Sequence, residues 1–497
     1  MIKKYSSAIK VILLLFILTL FCYFRLKPIY NQTVPYTYDQ GRDFAKAAEI
    51  ILDKKPTFLG PTTGIQGLFH GSWWYYALTV PFILTQGNPI GFYYFIFFVQ
   101  LVSFILLLYF LKRYFSLLTA FIIGALMATS PYFISTSFFA GNNIMVLPFL
   151  LIFLLLNFYL LEGKIKKKNH WMFFFAGISL GLVAEFEFAF GLLIIPAYFI
   201  LLFATHLRKQ FLRLKNAIFF LVGLLIPFIP RILFEVRHDF LQTRTMLNFL
   251  IKPKLHNPKS YMDIVQDRLN LFIGYWKSIF DNEYISLIIF LLFLMSMMFA
   301  FKHKDFIYKR FFYFLLTLLG LLFLFSTFYK DNFWANYYEG IHYIFIMLLA
   351  FTFTVVIKKY STYMNIVKGL VLVSLLVLGI FNFYRGIDSK PKLEGLMMHK
   401  EIVSYIQNKE RNNEYCIKVY TPPVIPHTYN YLFIANNYSQ KIPKPKDEWQ
   451  HNKCWFIIED DQYSFRRNDW IRNNIPQEGK LVERKRFAYI NVELWQK

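Results

Sequence analysis

The sequence predicts a polytopic all-α membrane protein that ends in a small α/β domain. Three observations predict it. The 497-residue chain is 56% hydrophobic and 21% aromatic, with 59 Phe, and only 17% charged, a balance that soluble domains of this length rarely carry. Its apolar residues gather in runs of about 20, the length that crosses a bilayer as a helix. From residue 388 onward the chain turns polar and holds no such run.

The apolar runs lie near 8–24, 91–111, 114–130, 143–162, 170–186, 188–204, 216–234, 284–301, 311–327, 340–357 and 367–384. They make about eleven candidate spans. The net charge is +24, yet Lys and Arg form no single basic domain of the kind that would indicate nucleic acid. They cluster in every second loop: Lys3, Lys4 and Lys10; Lys112 and Arg113; Lys164 to Lys168; Arg208 to Lys215; Lys302 to Arg310; Lys358 and Lys359. The positive-inside rule then places the N-terminus in the cytoplasm and the C-terminal domain outside a plasma (inner) membrane. The first run is read as a retained helix, because "RLKPIYNQTVPY" offers no small-residue cleavage site.

The outer loops differ from the short basic ones. The first, about 25–90, contains "RDFAKAAEIILDKK", where Phe44, Ala48, Ile51 and Leu52 share one helical face and Asp43, Lys46 and Asp53 another. That pattern suits a helix lying on the membrane surface. The 14-residue stretch "GSWWYYALTVPFIL" is too short to span and is aromatic at its start, which predicts an interfacial or re-entrant helix. In the C-terminal segment, 388–497, "LEGLMMHKEIVSYIQNK" has helical periodicity, and "YCIKVYT", "CWFIIED" and "FAYINVELW" read as strands. Cys416 and Cys454 fall in two of those strands. A disulfide and two separate buried thiols both fit their spacing. The expected division is a membrane domain at 1–387 and an extracytoplasmic α/β domain at 388–497.

Ionisable groups gather at the outer ends of the spans. "YTYDQGRD" supplies Asp39, Arg42 and Asp43; "AEFEF" supplies Glu185 and Glu187; "FEVRHDF" supplies Arg237 and His238; and His342 and Tyr343 begin the tenth span. Each has an ordinary reading, as a helix cap, a paired structural acid or a polar flank. Their shared side and depth predict a polar cleft at the outer leaflet, with acids to take a proton and Arg and His to hold an anion. There is no GxxxxGK[ST], HExxH or CxxC, so an ATP-driven pump is disfavoured and any activated group must arrive with the substrate. A transporter or flippase for lipid-linked glycans, and a polysaccharide ligase or polymerase, remain the alternative readings. Transporters, however, place key polar groups near the midplane.

With Asp39 in "YTYDQGRD", the segment "GPTTGIQGLFHGSWWYYALTVPFILTQGNPIGFYY", then "SPYFISTSFFAGNNIMVLPF" and "FEVRHDF", the chain resembles the GT-C glycosyltransferase superfamily over roughly residues 1–385. It is most similar to the branch of protein O-mannosyltransferases and the bacterial transferase that adds aminoarabinose to lipid A. The resemblance implies a polyprenyl-phosphate-linked sugar as donor and a lipid, glycan or protein hydroxyl as acceptor, with inversion at the anomeric carbon. It implies Asp39 as base, and Arg237 and His238, with Arg42, as the groups that hold the departing phosphate. Asp43 and Glu187 become second acids, for sugar hydroxyls or a divalent metal ion. Two departures are visible. His70 stands where aminoarabinose-type relatives carry Lys, and Glu185 and Glu187 stand where relatives often carry His.

Overall fold

A computed structural model gives the fold and describes residues 2–163, 169–251, 259–280, 282–302, 306–359, 394–410, 413–422 and 425–497. It opens with α1 (Ile2–Tyr30) and the first long loop, which holds α2 (Tyr38–Leu52), the hairpin β1 (Leu59–Thr62) and β2 (Phe69–Gly71), and α3 (Trp73–Leu84). A run of mostly apolar helices follows: α4 (Ile90–Tyr114), α5 (Leu117–Thr129), α6 (Pro131–Ser135), α7 (Val146–Leu161), α8 (Asn169–Phe186) and α9 (Phe188–Ala204). Next come α10 (Arg208–Phe211), α11 (Leu214–Leu225), α12 (Ile229–Arg237), α13 (Leu241–Ile251) and α14 (Tyr261–Ser278). The last of the series are α15 (Glu283–Lys302), α16 (Lys309–Ser326) and α17 (His342–Lys359).

Among the described residues, six helices are long and apolar enough to cross a membrane, and three shorter apolar ones join them. The protein is an integral membrane protein. Helices stand at ten of the predicted spans; the eleventh, 367–384, and the boundary at 387/388 lie outside the described residues.

The C-terminal part is a four-stranded sheet in the order β3-β4-β6-β5, formed by β3 (Ile417–Tyr420), β4 (Lys453–Glu459), β5 (Lys480–Phe487) and β6 (Ile490–Gln496). β3 and β4 are parallel and the other pairs antiparallel. Its helices are α18 (Gly395–Glu410), α19 (His427–Gln440) and α20 (Ser464–Asn474). Along β4, Trp455 and Ile457 join the main core, while Cys454, Phe456 and Ile458 pack with Trp470 and Ile471 of α20. The period-2 alternation of a strand therefore buries both of its faces. Cys416 and Cys454 are joined as a disulfide, Cα to Cα 4.6 Å, beside the β3–β4 ladder.

The first loop is amphipathic as expected, but protein covers its apolar face. Phe44, Ala47 and Ala48 of α2 are buried, with Phe44 stacked on Phe92 at 3.9 Å and edge-on to Tyr431 of α19 at 5.4 Å. Asp43 lies on this buried side, not on the polar one. At Gly41 the backbone of α19 comes so close that a Cβ would stand 2.5 Å from the carbonyl carbon of His427. Tyr36 and Tyr431 donate hydrogen bonds across the same junction, to Thr428 O at 2.8 Å and Gly87 O at 2.7 Å. The C-terminal part thus clamps the helix that carries the first-loop charges.

Arg25, near the C-terminal end of α1, fixes the opposite wall. Its Nε donates to Ser137 Oγ, its Nη1 to Phe21 O and Ala128 O, and its Nη2 to Met127 O and Phe133 O, all within 3.1 Å. All five guanidinium protons are used. The carbonyls at the end of α5 lack partners within their helix, and Arg25 supplies them. Through Phe133 and Ser137 the same buried cation ties the following segment, 130–143, to α1 and α5.

Candidate active site

A polar cavity of about 600 Å³ opens between α2, the β1–β2 hairpin, the 132–144 segment, the turn before α9 and the 334–339 loop. Asp39, Arg42, Asp43, His70 and Glu187 all line it. Segments far apart in the chain therefore bring most of the expected charges to one place.

The start of α2 sets the first group. Thr37 is the residue before the helix, and its N–H donates to Gln40 Oε1 at 2.8 Å. Gln40 thus fills the third position of a capping box, and Asp39 sits within the first turn with no capping duty. Arg42, one helical turn on, forks between two acids. Its Nη1 lies 2.9 Å from Asp39 Oδ1; its Nε and Nη2 each lie 2.8 Å from Asp43 Oδ1. Trp74 Nε1 donates to Asp43 Oδ2 at 2.8 Å. Both oxygens of Asp43 are thereby engaged and the residue is buried, whereas the Asp39 side chain is 66% exposed. Burial lifts the Asp43 carboxyl to about 6, with Arg42 opposing the rise. Asp43 orients Arg42; Asp39 is the carboxylate that an incoming molecule can reach.

His70, on β2, is buried and accepts the Phe188 N–H at Nδ1 (3.3 Å). Burial first, then the nearby Arg231 and Arg42, push it down to about 3. The ring is therefore neutral, and its accepting Nδ1 assigns the proton to Nε2. Glu187 precedes α9 with extended backbone (φ −135°, ψ 99°) and is buried. Burial raises its carboxyl well above the usual range; the Ala189 N–H opposes this and Glu339 adds to it.

Glu339 was not singled out from the sequence. It lines the cavity, receives Tyr132 Oη–H at Oε1 and receives Asn143 Nδ2–H at Oε2, 3.2 Å away. Burial lifts it to about 7, against the pull of those two donors. The one signal available was a lone acid in the aromatic loop "FWANYYEG". Asn142 and Asn143, from "GNNIM", line the same wall.

The remaining expected residues lie elsewhere. Glu185 is fully buried and accepts from Arg231 Nε at 2.7 Å; it does not line the cavity. Arg237 and His238 are exposed at the end of α12, away from the cavity, with the His238 ring stacked on Phe234 at 4.0 Å. Their helix turns Arg231 and Glu235 inward instead. His342 is buried behind the cavity, bonded to Ser278 Oγ at 2.9 Å and stacked on Tyr132 at 3.4 Å. It supports the tyrosine that contacts Glu339. Tyr343 is buried against Phe133.

Arg42 is the one Lys or Arg lining the cavity among the described residues. No three His, Cys, Asp or Glu among them converge as a metal-ligand set. A narrow apolar crevice continues from the polar cavity, sharing Thr63, Gly64, Glu187 and Tyr337 with it. Leu192 of α9 and Met246 and Phe249 of α13 line its walls. A reachable carboxylate beside a fixed guanidinium can take a proton while the cation holds an anion.

Comparison with solved structures places the whole arrangement. ArnT from Cupriavidus metallidurans, in the structure described as bound to undecaprenyl phosphate, superposes with a TM-score of 0.57 at 12% identity, over 98% of this chain and 98% of that one. The fold is that of the GT-C glycosyltransferases. Apo ArnT gives the same score and identity over 99% of this chain and 98% of its own. An Archaeoglobus fulgidus oligosaccharyltransferase, in complex with Zn and sulfate, matches this chain with a TM-score of 0.53 at 12% identity. That match spans 93% of this chain and 70% of the other. The family described as dolichyl-phosphate-mannose-protein mannosyltransferase matches residues 72–234. That range holds α3 to α11 and the first part of α12, with Glu187 inside it and Asp39 outside. No curated protein matches the sequence at a significant level.

Proposed function

We propose that the protein is a membrane glycosyltransferase that moves a hexosyl or pentosyl unit from a polyprenyl-phosphate sugar to an acceptor hydroxyl, with inversion. The observation that carries this reading is a polar cavity bordered by an apolar seam. A cavity of about 600 Å³ gathers Asp39, Arg42, His70 and Glu187; the crevice beside it, between α9 and α13, holds only about 20 Å³ and is where a greasy tail would have to open its path. The family match and the undecaprenyl phosphate named for ArnT support a donor of this class.

In the proposed step the acceptor oxygen attacks the anomeric carbon and its proton passes to Asp39. The new carbon–oxygen bond forms as the bond to the phosphate oxygen breaks, and that electron pair leaves with the polyprenyl phosphate. Arg42 holds the phosphate, a role it takes in place of Arg237 and His238, which lie outside the cavity. Asp43 keeps the fork of Arg42 pointed. The Nε2–H of His70 and the carboxyls of Glu187 and Glu339 meet sugar hydroxyls.

The reaction belongs on the outer face of a plasma (inner) membrane, with the N-terminus in the cytoplasm and the C-terminal domain outside. The alternating basic loops support that orientation, and so does the Cys416–Cys454 bond, since disulfides persist in oxidising compartments. Residues 1–387 form the catalytic unit and 388–497 the unit that holds α2.

The test is incubation of the purified protein with a panel of polyprenyl-phosphate sugars, read as release of free polyprenyl phosphate. Wild type should release it from at least one donor. Asp39→Asn should bind that donor normally and turn over about 10²–10⁴-fold more slowly, the usual worth of a general base. Release from no donor sinks the function; near-normal turnover by Asp39→Asn sinks the base.

A further inference from the structure

A second cavity, of about 390 Å³, lies beside the first, between α14 and the loop that follows α16. Trp334 lines both. The stretch from Lys330 to Trp334 faces the second cavity, and the same loop then sends Asn336, Tyr337 and Glu339 into the first. One short loop therefore joins the two spaces.

The second cavity is built firmly. Arg268 is buried and spends its guanidinium on the loop itself, donating to Ser326 O at 3.1 Å and Tyr329 O at 2.9 Å, while it stacks over Phe333 at 4.6 Å. Lys259 and Asp267 pair at 2.5 Å along one wall. This leaves a fixed loop that presents an indole, 60% exposed, flanked by Lys330, Asp331 and Asn332.

An exposed flat aromatic beside carboxylate, amide and ammonium groups matches a particular ligand chemistry. A pyranose has one face of C–H bonds and a rim of hydroxyls: the face packs on the ring and the rim bonds to carboxylate, amide and ammonium. An interfacial tryptophan anchoring the protein in the headgroup zone would face lipid; this one faces two polar cavities.

We infer that the second cavity is a saccharide subsite, which holds a sugar of the acceptor next to the one that receives the transferred unit, with Trp334 as the stacking platform between the two spaces. The inference rests on the proposed function for the word acceptor, and it makes that acceptor a glycan.

The test needs no donor. Full-length protein in detergent is applied to a glycan array as wild type, Trp334→Ala and Lys330→Ala/Asn332→Ala, and affinities for the retained glycans are measured by titration. Wild type should retain a defined set of oligosaccharides. Both variants should weaken that binding about tenfold or more, and saturating polyprenyl phosphate should leave it in place. The inference falls if wild type retains no saccharide, if both variants retain them equally well, if polyprenyl phosphate displaces them, or if Ser/Thr-containing peptides compete for the site. A flat array beside working donor cleavage overturns the subsite alone. Trp334-dependent retention without donor cleavage overturns the transferase reading alone.

Discussion

Glu185 and Glu187 stand two positions apart in "AEFEF", and the fold gives them different tasks. Glu185 ends α8 with its carboxylate on Arg231 Nε, and Arg231 also donates to Phe69 O at 2.9 Å and Gln242 Oε1 at 3.0 Å. The pair ties α8 to β2 and to the start of α13. Gly71 lies so close that a Cβ there would overlap Glu185 Oε2. Glu187 lies past the helix end, where extended backbone turns it to the cavity and toward Glu339. A buried acid matched to a cation is a framework element; a buried acid beside another acid holds its proton and can exchange it.

The sharpest way to break this distinction is Glu185→Ala. It leaves Arg231 buried without its carboxylate, and should cost about 3–5 kcal/mol, read as a large drop in thermal unfolding temperature in detergent. A change below about 1 kcal/mol would remove Glu185 from the framework. Glu187→Gln should do the reverse: unfolding temperature held or raised, and donor turnover reduced about 10²-fold.

A third prediction uses pH. The Glu339 carboxyl stands at about 7 in the folded chain, above its ordinary 4.5, so the folded state binds more protons between those values. Its contribution to stability is fully present below the ordinary value and is lost as pH rises through 7. Wild-type unfolding temperature should fall across that window, and Glu339→Gln should flatten the fall. An identical slope in both proteins would place the titration elsewhere. The smallest effect separates two arginines. Arg42→Lys loses the fork and should weaken donor binding about tenfold, whereas exposed Arg237→Lys should change it by about twofold or less.

Much of the architecture was readable because hydropathy and loop charge are periodic signals. The helices at 90–114, 188–204 and 283–302 stand where the apolar runs lie. Strand β5, "KLVERKRF", escaped because an exposed edge strand carries charge in place of alternating apolar residues. Helix α19 escaped too: "HTYNYLFIANNYSQ" owes its place to packing on α2 rather than to its own pattern. In the cavity, His70 drew attention as a departure from the pattern the chain resembles, and Asp39, Arg42 and Glu187 as charged groups in apolar surroundings. Arg237 and His238 drew it for the same reason, yet which face of a short helix turns inward depends on its neighbours. Glu339 and Arg25 were passed over as single charges, and only the fold reveals that each anchors a wall.

The account turns on where a lipid phosphate settles. A cryo-EM map of the full chain with polyprenyl monophosphate tests that directly. It should place the phosphate in the cavity against Arg42, within reach of Asp39, with the chain running into the crevice between α9 and α13. Phosphate density at Arg237 and His238, with the cavity unfilled, would contradict it.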